Sequence, residues 1–183
     1  MTILHIDSSI NGENSASRAI SSSIVGQLRA SDPVSELVTR DLVSEPLRHL
    51  TLDTFADSTV LDEFLAADTV VIGAPMYNFT LSSQLKAWLD RILVAGKTFR
   101  YTESGPEGLA TGKRVIVALA RGGFYDAGSP ASALEHLESY LRGVFNFIGI
   151  EPEFVAADGL NFGPEQREAS LNAALGETML LAA

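Results

Sequence analysis

The stretch Ser8-Ser9-Ile10-Asn11-Gly12-Glu13-Asn14-Ser15-Ala16-Ser17 decides how the chain folds. It follows a short apolar run, Ile3-Leu4-His5-Ile6, and leads into Ile20, Ile24, Val25 and Leu28, which recur at helical spacing. A strand, a polar Ser/Asn/Gly loop and a helix in that order make a site for an anion. The free N–H groups of the first helical turn and the positive end of the helix dipole converge there, and hydroxyls add donors. Ordinary capping competes with this reading, because one serine at an N-cap is common and contributes about 1 kcal/mol. One cap needs one serine, whereas this stretch offers Ser9, Ser15 and Ser17, with Arg18 as a neighbouring cation. The loop lacks the Gly-Lys-Ser/Thr ending of a Walker A motif and the G-x-G-x-x-G dinucleotide fingerprint, which points to a mononucleotide.

Outward from this loop the chain alternates between strand and helix patterns. Ser35 to Leu42 reads as a second strand after the Asp32-Pro33 break, and a helix carries Phe55, Leu61, Phe64 and Leu65. Thr69-Val70-Val71-Ile72-Gly73-Ala74 is a continuous apolar run without alternation, as expected of a parallel strand covered on both faces. A helix follows with Leu81, Leu85, Trp88, Leu89 and Ile92 on one face, and then a Gly/Pro-bearing loop from Gly96 to Gly112. Arg114 to Ala120 is the fourth strand, a helix carries Leu134, Leu137, Leu141, Val144, Phe145 and Ile148, and Glu153 to Ala157 is the fifth strand. Pro164 opens a closing helix that runs to the end. Five strands alternating with five helices predict an α/β fold, a doubly wound five-stranded parallel sheet. Right-handed crossovers favour the flavodoxin-like order 2-1-3-4-5. No internal repeat or linker interrupts residues 1–183, which read as a single domain.

Composition narrows the function. With 46% hydrophobic and 20% charged residues the chain is globular, and with no cysteine it has no disulfide framework, thiolate metal site or thiol nucleophile. The net charge of −10 disfavours nucleic acid and anionic membranes as partners. No apolar run approaches the roughly 20 residues needed to span a bilayer, and no signal peptide is evident, so a cytoplasmic protein is expected. His5, His49 and His136 lack metal-ligand spacing and read as structural, so no metal is expected. No G-x-S-x-G elbow is present.

In such a fold ligands sit beyond the carboxyl ends of the strands, where the strand order reverses. Three loops leave strands 1, 3 and 4 there. They are the serine loop, Pro75-Met76-Tyr77-Asn78-Phe79, and Arg121-Gly122-Gly123-Phe124-Tyr125. The second places a thioether, two aromatics and an amide at the mouth of a buried strand. That inventory suits a flat ring such as isoalloxazine, but it also suits core packing by Met76 and Phe79 with Asn78 as a helix cap. The two glycines of the third let the backbone approach a flat ligand, or form a plain turn.

Taken in order, S-S-I-N-G-E-N-S-A-S, A-P-M-Y-N-F-T-L-S-S-Q-L-K-A-W-L-D, F-R-Y-T-E-S-G-P-E-G-L-A-T-G-K, A-R-G-G and F-N-F-I-G-I resemble the FMN-dependent NADH–azoreductases, within the flavodoxin-like NAD(P)H:quinone oxidoreductases. The resemblance implies a homodimer with FMN at the subunit interface and ping-pong transfer of two electrons from NADH, or NADPH, to quinones and aromatic azo compounds. Carried over residue by residue, the FMN contacts fall on Ser9, on Ser15, Ala16 and Ser17, on Met76, Tyr77, Asn78 and Phe79, and on Ala120, Arg121, Gly122 and Gly123. Tyr101, Phe124 and Phe147 would line the substrate space, some of them from the second subunit. No side chain is expected to act as a catalytic nucleophile, because the cofactor carries the chemistry. Two features depart from the family. Ala120 stands where a serine is usual, and the segment between strands 2 and 3 looks short. A flavodoxin-like electron carrier or a redox sensor, each binding FMN without NADH turnover, is the alternative reading.

Overall fold

The computed structural model describes residues 1–181. Five parallel strands form one sheet in the order β2-β1-β3-β6-β7, with β1 at Thr2–Asp7, β2 at Glu36–Asp41, β3 at Thr69–Pro75, β6 at Arg114–Ala120 and β7 at Glu153–Ala157. Counting only these five, the order is the expected 2-1-3-4-5. The numbers 4 and 5 belong to a separate antiparallel hairpin, β4 (Phe99–Thr102) and β5 (Gly105–Gly108), inside the segment expected to be a loop. Its register sets Arg100 opposite Glu107, which pair in two hydrogen bonds of 2.8 and 3.0 Å.

The sheet is covered on both sides because its strands alternate between two apolar clusters. Val70, Ile72 and Ala74 of β3 pack with Val60 and Phe64 of α3 (Thr59–Ala66), with Leu85, Trp88, Leu89 and Ile92 of α4 (Ser83–Ile92), and with Leu141 and Phe145 of α5 (Glu138–Phe147). Val71 points the other way, to Ile20, Ile24, Val25 and Leu28 of α1 (Ala16–Ser31) and to Ala174 of α6 (Pro164–Thr178). Every residue of β3 is buried, which explains its unalternating apolar run. Phe64 meets Trp88 edge to face at 6.0 Å under the first cluster.

Local chemistry moves several element boundaries from their expected places. The helix expected through Phe55 to Leu65 is divided into α2 (Leu52–Phe55) and α3, because Asp57 accepts both the N–H and the hydroxyl of Thr59 and so starts a new helix. The helix expected from Leu134 begins at Glu138. The Glu135 carboxylate takes the N–H groups of Leu137, Glu138 and Ser139 at 3.0, 2.7 and 2.9 Å, and Ser132–Leu134 form a 3₁₀ turn before it. The closing helix ends at Thr178, and Ala182 and Ala183 lie outside the described residues. No helix among the described residues is long and apolar enough to cross a membrane.

Candidate functional site

Strands β1, β3 and β6 are neighbours in the sheet, so the loops leaving their carboxyl ends meet. The serine loop passes through a 3₁₀ turn at Gly12–Asn14, and Ser15 then caps α1 by accepting the Arg18 N–H at 3.3 Å. The Ser15 hydroxyl lies 3.1 Å from that of Ser17, which is fully buried beneath it. The Ala16 and Ser17 N–H groups have no acceptor among the described residues. Two first-turn amides therefore remain available to a ligand.

Arg18 is occupied elsewhere. Its guanidinium grips the Asp41 carboxylate at 2.9 and 2.7 Å and donates twice to the Ser9 carbonyl, at 3.2 and 2.9 Å. The Asp41 hydrogen bonds hold the Arg18 pKa up, and in return Arg18 holds Asp41 below the ordinary carboxylate range. Arg18 is thus a clamp on the loop. The cavity it faces, about 530 Å³, also carries Asp7, Glu13 and Asp41 and is the wrong sign for an anion.

The second loop is tied to the first by one hydroxyl. Tyr77 Oη lies 3.1 Å from Ser9 Oγ and accepts the Ile10 N–H at 3.1 Å. Asn78 and Phe79 form a two-residue turn with φ of +47° and +73°, closed by Tyr77 N–H to Thr80 O (2.9 Å) and Thr80 N–H to Tyr77 O (3.1 Å). A phenylalanine in the left-handed region is costly and persists only where its surroundings enforce it. Here Phe79 O accepts the His136 N–H, and the Thr80 hydroxyl donates to His136 O. Asn78 is therefore no helix cap. Ser82 caps α4, and the exposed Asn78 amide has no partner among the described residues.

The third loop leaves β6 beside the second, with Met76 N–H donating to Ala120 O at 2.8 Å. Arg121 turns its side chain inward, bonded to Asp158 at 2.6 and 2.8 Å and to Glu138 at 3.3 Å. Burial pulls its pKa down, but Asp158, Glu138 and Glu135 outweigh that and leave it raised. Only its backbone is left for a ligand. The N–H groups of Gly122 and Gly123 have no acceptor among the described residues. A Cβ at Gly122 would stand 2.3 Å from Asn161 Nδ2, so any larger residue there would push the Asn161 side chain aside.

A cavity of about 200 Å³ lies where the three loops meet. It is lined by Ser9, Asn11, Ser15, Ala16, Pro75, Met76, Tyr77, Ala120 and Gly122, and by Leu160, Asn161 and Arg167. An open cleft of about 630 Å³ adjoins it over Met76, Tyr77, Asn78 and the start of α4. Gly123 lines a further hollow with Phe124 and Phe162, whose rings stand 5.4 Å apart. Most of the expected residues are thus brought together. Tyr101 and Phe147 are not. They gather around Phe99, at 5.6 and 4.7 Å between ring centroids for Tyr101–Phe99 and Phe99–Phe147, and Phe147 lines an apolar groove with Leu93, Tyr140 and Val144. Sequence reading missed Leu160, Asn161 and Arg167. They follow β7, and the rule that ligands sit at carboxyl strand ends was the one signal pointing there.

The cradle suits FMN: two spare amides at a helix N-terminus for a phosphate, then backbone and amide groups around Met76, Asn78 and Gly122 for a flat polar ring. A family model described as the flavodoxin-like fold matches residues 1–179. FMN-dependent NADH:quinone oxidoreductase 2 of Bradyrhizobium diazoefficiens is 56% identical over 193 aligned positions, covering 96% of each chain. The FMN-dependent NADH:quinone oxidoreductase of Sinorhizobium fredii is 53% identical over 206 positions spanning all of both chains. Since this chain has 183 residues, at least 23 of those 206 positions have no counterpart here. The crystal structure of azoreductase from Bacillus anthracis superposes with a TM-score of 0.91 at 28% identity, covering 100% of this chain and 98% of that one. With its three loops converging on one cradle and this likeness running along the whole matched length, the chain belongs to the flavodoxin-like family of FMN-dependent NADH:quinone oxidoreductases and azoreductases.

Proposed function

We propose that this protein is an FMN-dependent oxidoreductase that carries two electrons from NADH to quinones and aromatic azo compounds by a ping-pong exchange. The observation that carries the reading is the three-loop cradle, in which Ala16 and Gly122, each with an unspent amide, line one cavity, and Ser17 and Gly123, the next residues along the chain, have unspent amides too. FMN held in the cradle would supply the redox chemistry, hydride exchange with NADH and with the acceptor. The chain's own residues bind and orient. Ser9, Ser15, Ala16 and Ser17 would hold the phosphate, directly or, for the buried Ser17 side chain, through its amide. Met76 to Phe79 would flank the ring, and the strained Asn78-Phe79 turn supports a role for the Asn78 amide at its edge. Ala120 offers no hydroxyl, so the contacts of the third loop fall on the backbone of Ala120 to Gly123.

Tyr101 and Phe147 reach the reaction space only if a second subunit supplies them, since within one chain they sit around Phe99. The apolar groove at Phe147 and the 74% exposure of Tyr101 support a homodimer joined there, with FMN at the interface. Phe124, beside Gly123, would wall the same space from this subunit. The covering of the sheet on both faces supports the doubly wound, single-domain reading, and the acidic charge suits a cytoplasmic enzyme. Steady-state assay of FMN-loaded protein with NADH and a quinone series tests the proposal. Parallel-line kinetics are expected, and protein that takes up no FMN would refute it.

A further inference from the structure

On a chain of net charge −10, something must offset the phosphate of a bound FMN, and the two arginines nearest the loops in sequence are spent. Arg18 faces the other side of the serine loop and is paired with Asp41, with Asp7 at 3.7 Å. Arg121 is buried against Asp158, Glu138 and Glu135. Among the described residues the 200 Å³ cavity is lined by no carboxylate and by one cation, Arg167. Arg167 lies in the first turn of α6, more than 150 residues from the serine loop, and donates to the Asn14 carbonyl at 2.7 Å. That bond sets the guanidinium beside the residue preceding Ser15, on the cavity that Ala16, with its unspent amide, also lines. No carboxylate pairs with it among the described residues. A guanidinium with four further N–H donors and no counter-charge, at the mouth of a helix N-terminus, suits a phosphate monoester.

We infer that Arg167 is the charge partner of the FMN phosphate, a cofactor-binding residue supplied by the last helix. This rests on the FMN reading above. The carboxyl end of β7 thereby joins the ends of β1, β3 and β6 in making the site, and α6 is pinned over the loop by the bond to Asn14.

Riboflavin, which differs from FMN by the phosphate, provides the test. Apoprotein of wild type, Arg167→Gln and Arg167→Lys is titrated with each flavin by fluorescence at several salt concentrations. Glutamine removes the charge, and the riboflavin titration reads any loss of the helix contact separately from loss of the phosphate contact. Loss of a charge-assisted bond should weaken FMN binding about 10- to 100-fold in Arg167→Gln. Riboflavin affinity should be unchanged, and the salt dependence of FMN binding should flatten. Arg167→Lys should recover part of the affinity and keep the salt slope. Unchanged FMN affinity would overturn the inference, as would equal weakening of both flavins, or weaker FMN binding with an unaltered salt slope. Wild-type apoprotein that binds neither flavin would instead overturn the FMN reading itself, and this inference with it.

Discussion

Replacing Tyr77 by phenylalanine removes one oxygen and with it the tie between two of the three loops. The ring stays in place, so the perturbation is confined to the hydrogen bonds with Ser9 Oγ and the Ile10 N–H, both 3.1 Å long. Ser9 Oγ keeps the Asn11 N–H at 3.3 Å, and Ile10 lies at an exposed position where its N–H finds water. Neither group is left buried and unsatisfied, so each lost bond costs its net worth, about 0.5–1.5 kcal/mol. A total of about 1–3 kcal/mol should lower the apoprotein Tm by about 2–12 °C at this chain length. Untied loops that loosen in the apoprotein must be ordered again when FMN binds, so the share of this free energy that the apoprotein escapes appears as weaker FMN binding, up to roughly 150-fold. Calorimetry of the apoprotein and fluorescence titration with FMN read the two quantities. An unchanged Tm with unchanged FMN affinity would show that the Tyr77 hydroxyl joins nothing of consequence. A large fall in kcat at saturating FMN, with Tm intact, would show that the hydroxyl acts on the substrate rather than on the loops.

Three further expectations come from the same structure. The double substitution Ser15→Ala with Ser17→Ala removes the α1 cap and its partner hydroxyl, and should cost about 1 kcal/mol in stability and weaken FMN retention, while kcat at saturating FMN stays near wild type. In Gly108→Ala the new methyl would stand 2.1 Å from Gly149 N and 2.2 Å from Ile148 C, backbone that cannot swing aside, so a loss of about 3 kcal/mol is expected in chemical denaturation. Burial pushes the Glu135 pKa up, but the Ser139, Glu138 and Leu137 N–H groups outweigh it, so the folded-state value falls below 4.5. A depressed carboxyl stabilises the fold above its unfolded pKa, so the stability gap between wild type and Glu135→Gln should be constant from neutral pH down to about 4.5 and shrink below it.

The framework was legible where the chain states it locally. Thr69 to Ala74 announces a strand buried on both faces because all its side chains are apolar, and the Ser/Asn/Gly loop between two apolar patterns announces a strand–loop–helix unit. The sheet order followed from connection rules. The β4–β5 hairpin was hidden because Gly105-Pro106-Glu107-Gly108 has neither alternation nor β-branched residues. Its second strand is set by tertiary contact, with Gly108 pressed against Gly149. The late start of α5 was hidden for the converse reason. Leu134 and Leu137 keep helical spacing, yet the Glu135 side chain takes the amides that would begin the helix earlier. At the site, adjacent residues such as Met76 to Phe79 were legible as a motif. Asn161 and Arg167 were not, because their place beside Gly122 and Asn14 is created by the fold across a long sequence separation. Arg18 shows the limit of proximity in sequence: it follows the serine loop directly, yet Asp41 on β2 claims it.

The central claim, that the three-loop cradle supports enzymatic turnover rather than storage or sensing of electrons, is tested most directly by anaerobic stopped-flow mixing of the FMN-loaded protein with NADH and then with a quinone. The account predicts that the visible flavin absorbance bleaches on the first mixing and returns on the second, each at a rate at least equal to kcat. FMN-loaded protein whose absorbance stays unbleached by NADH would contradict it and leave the chain an electron carrier or redox sensor.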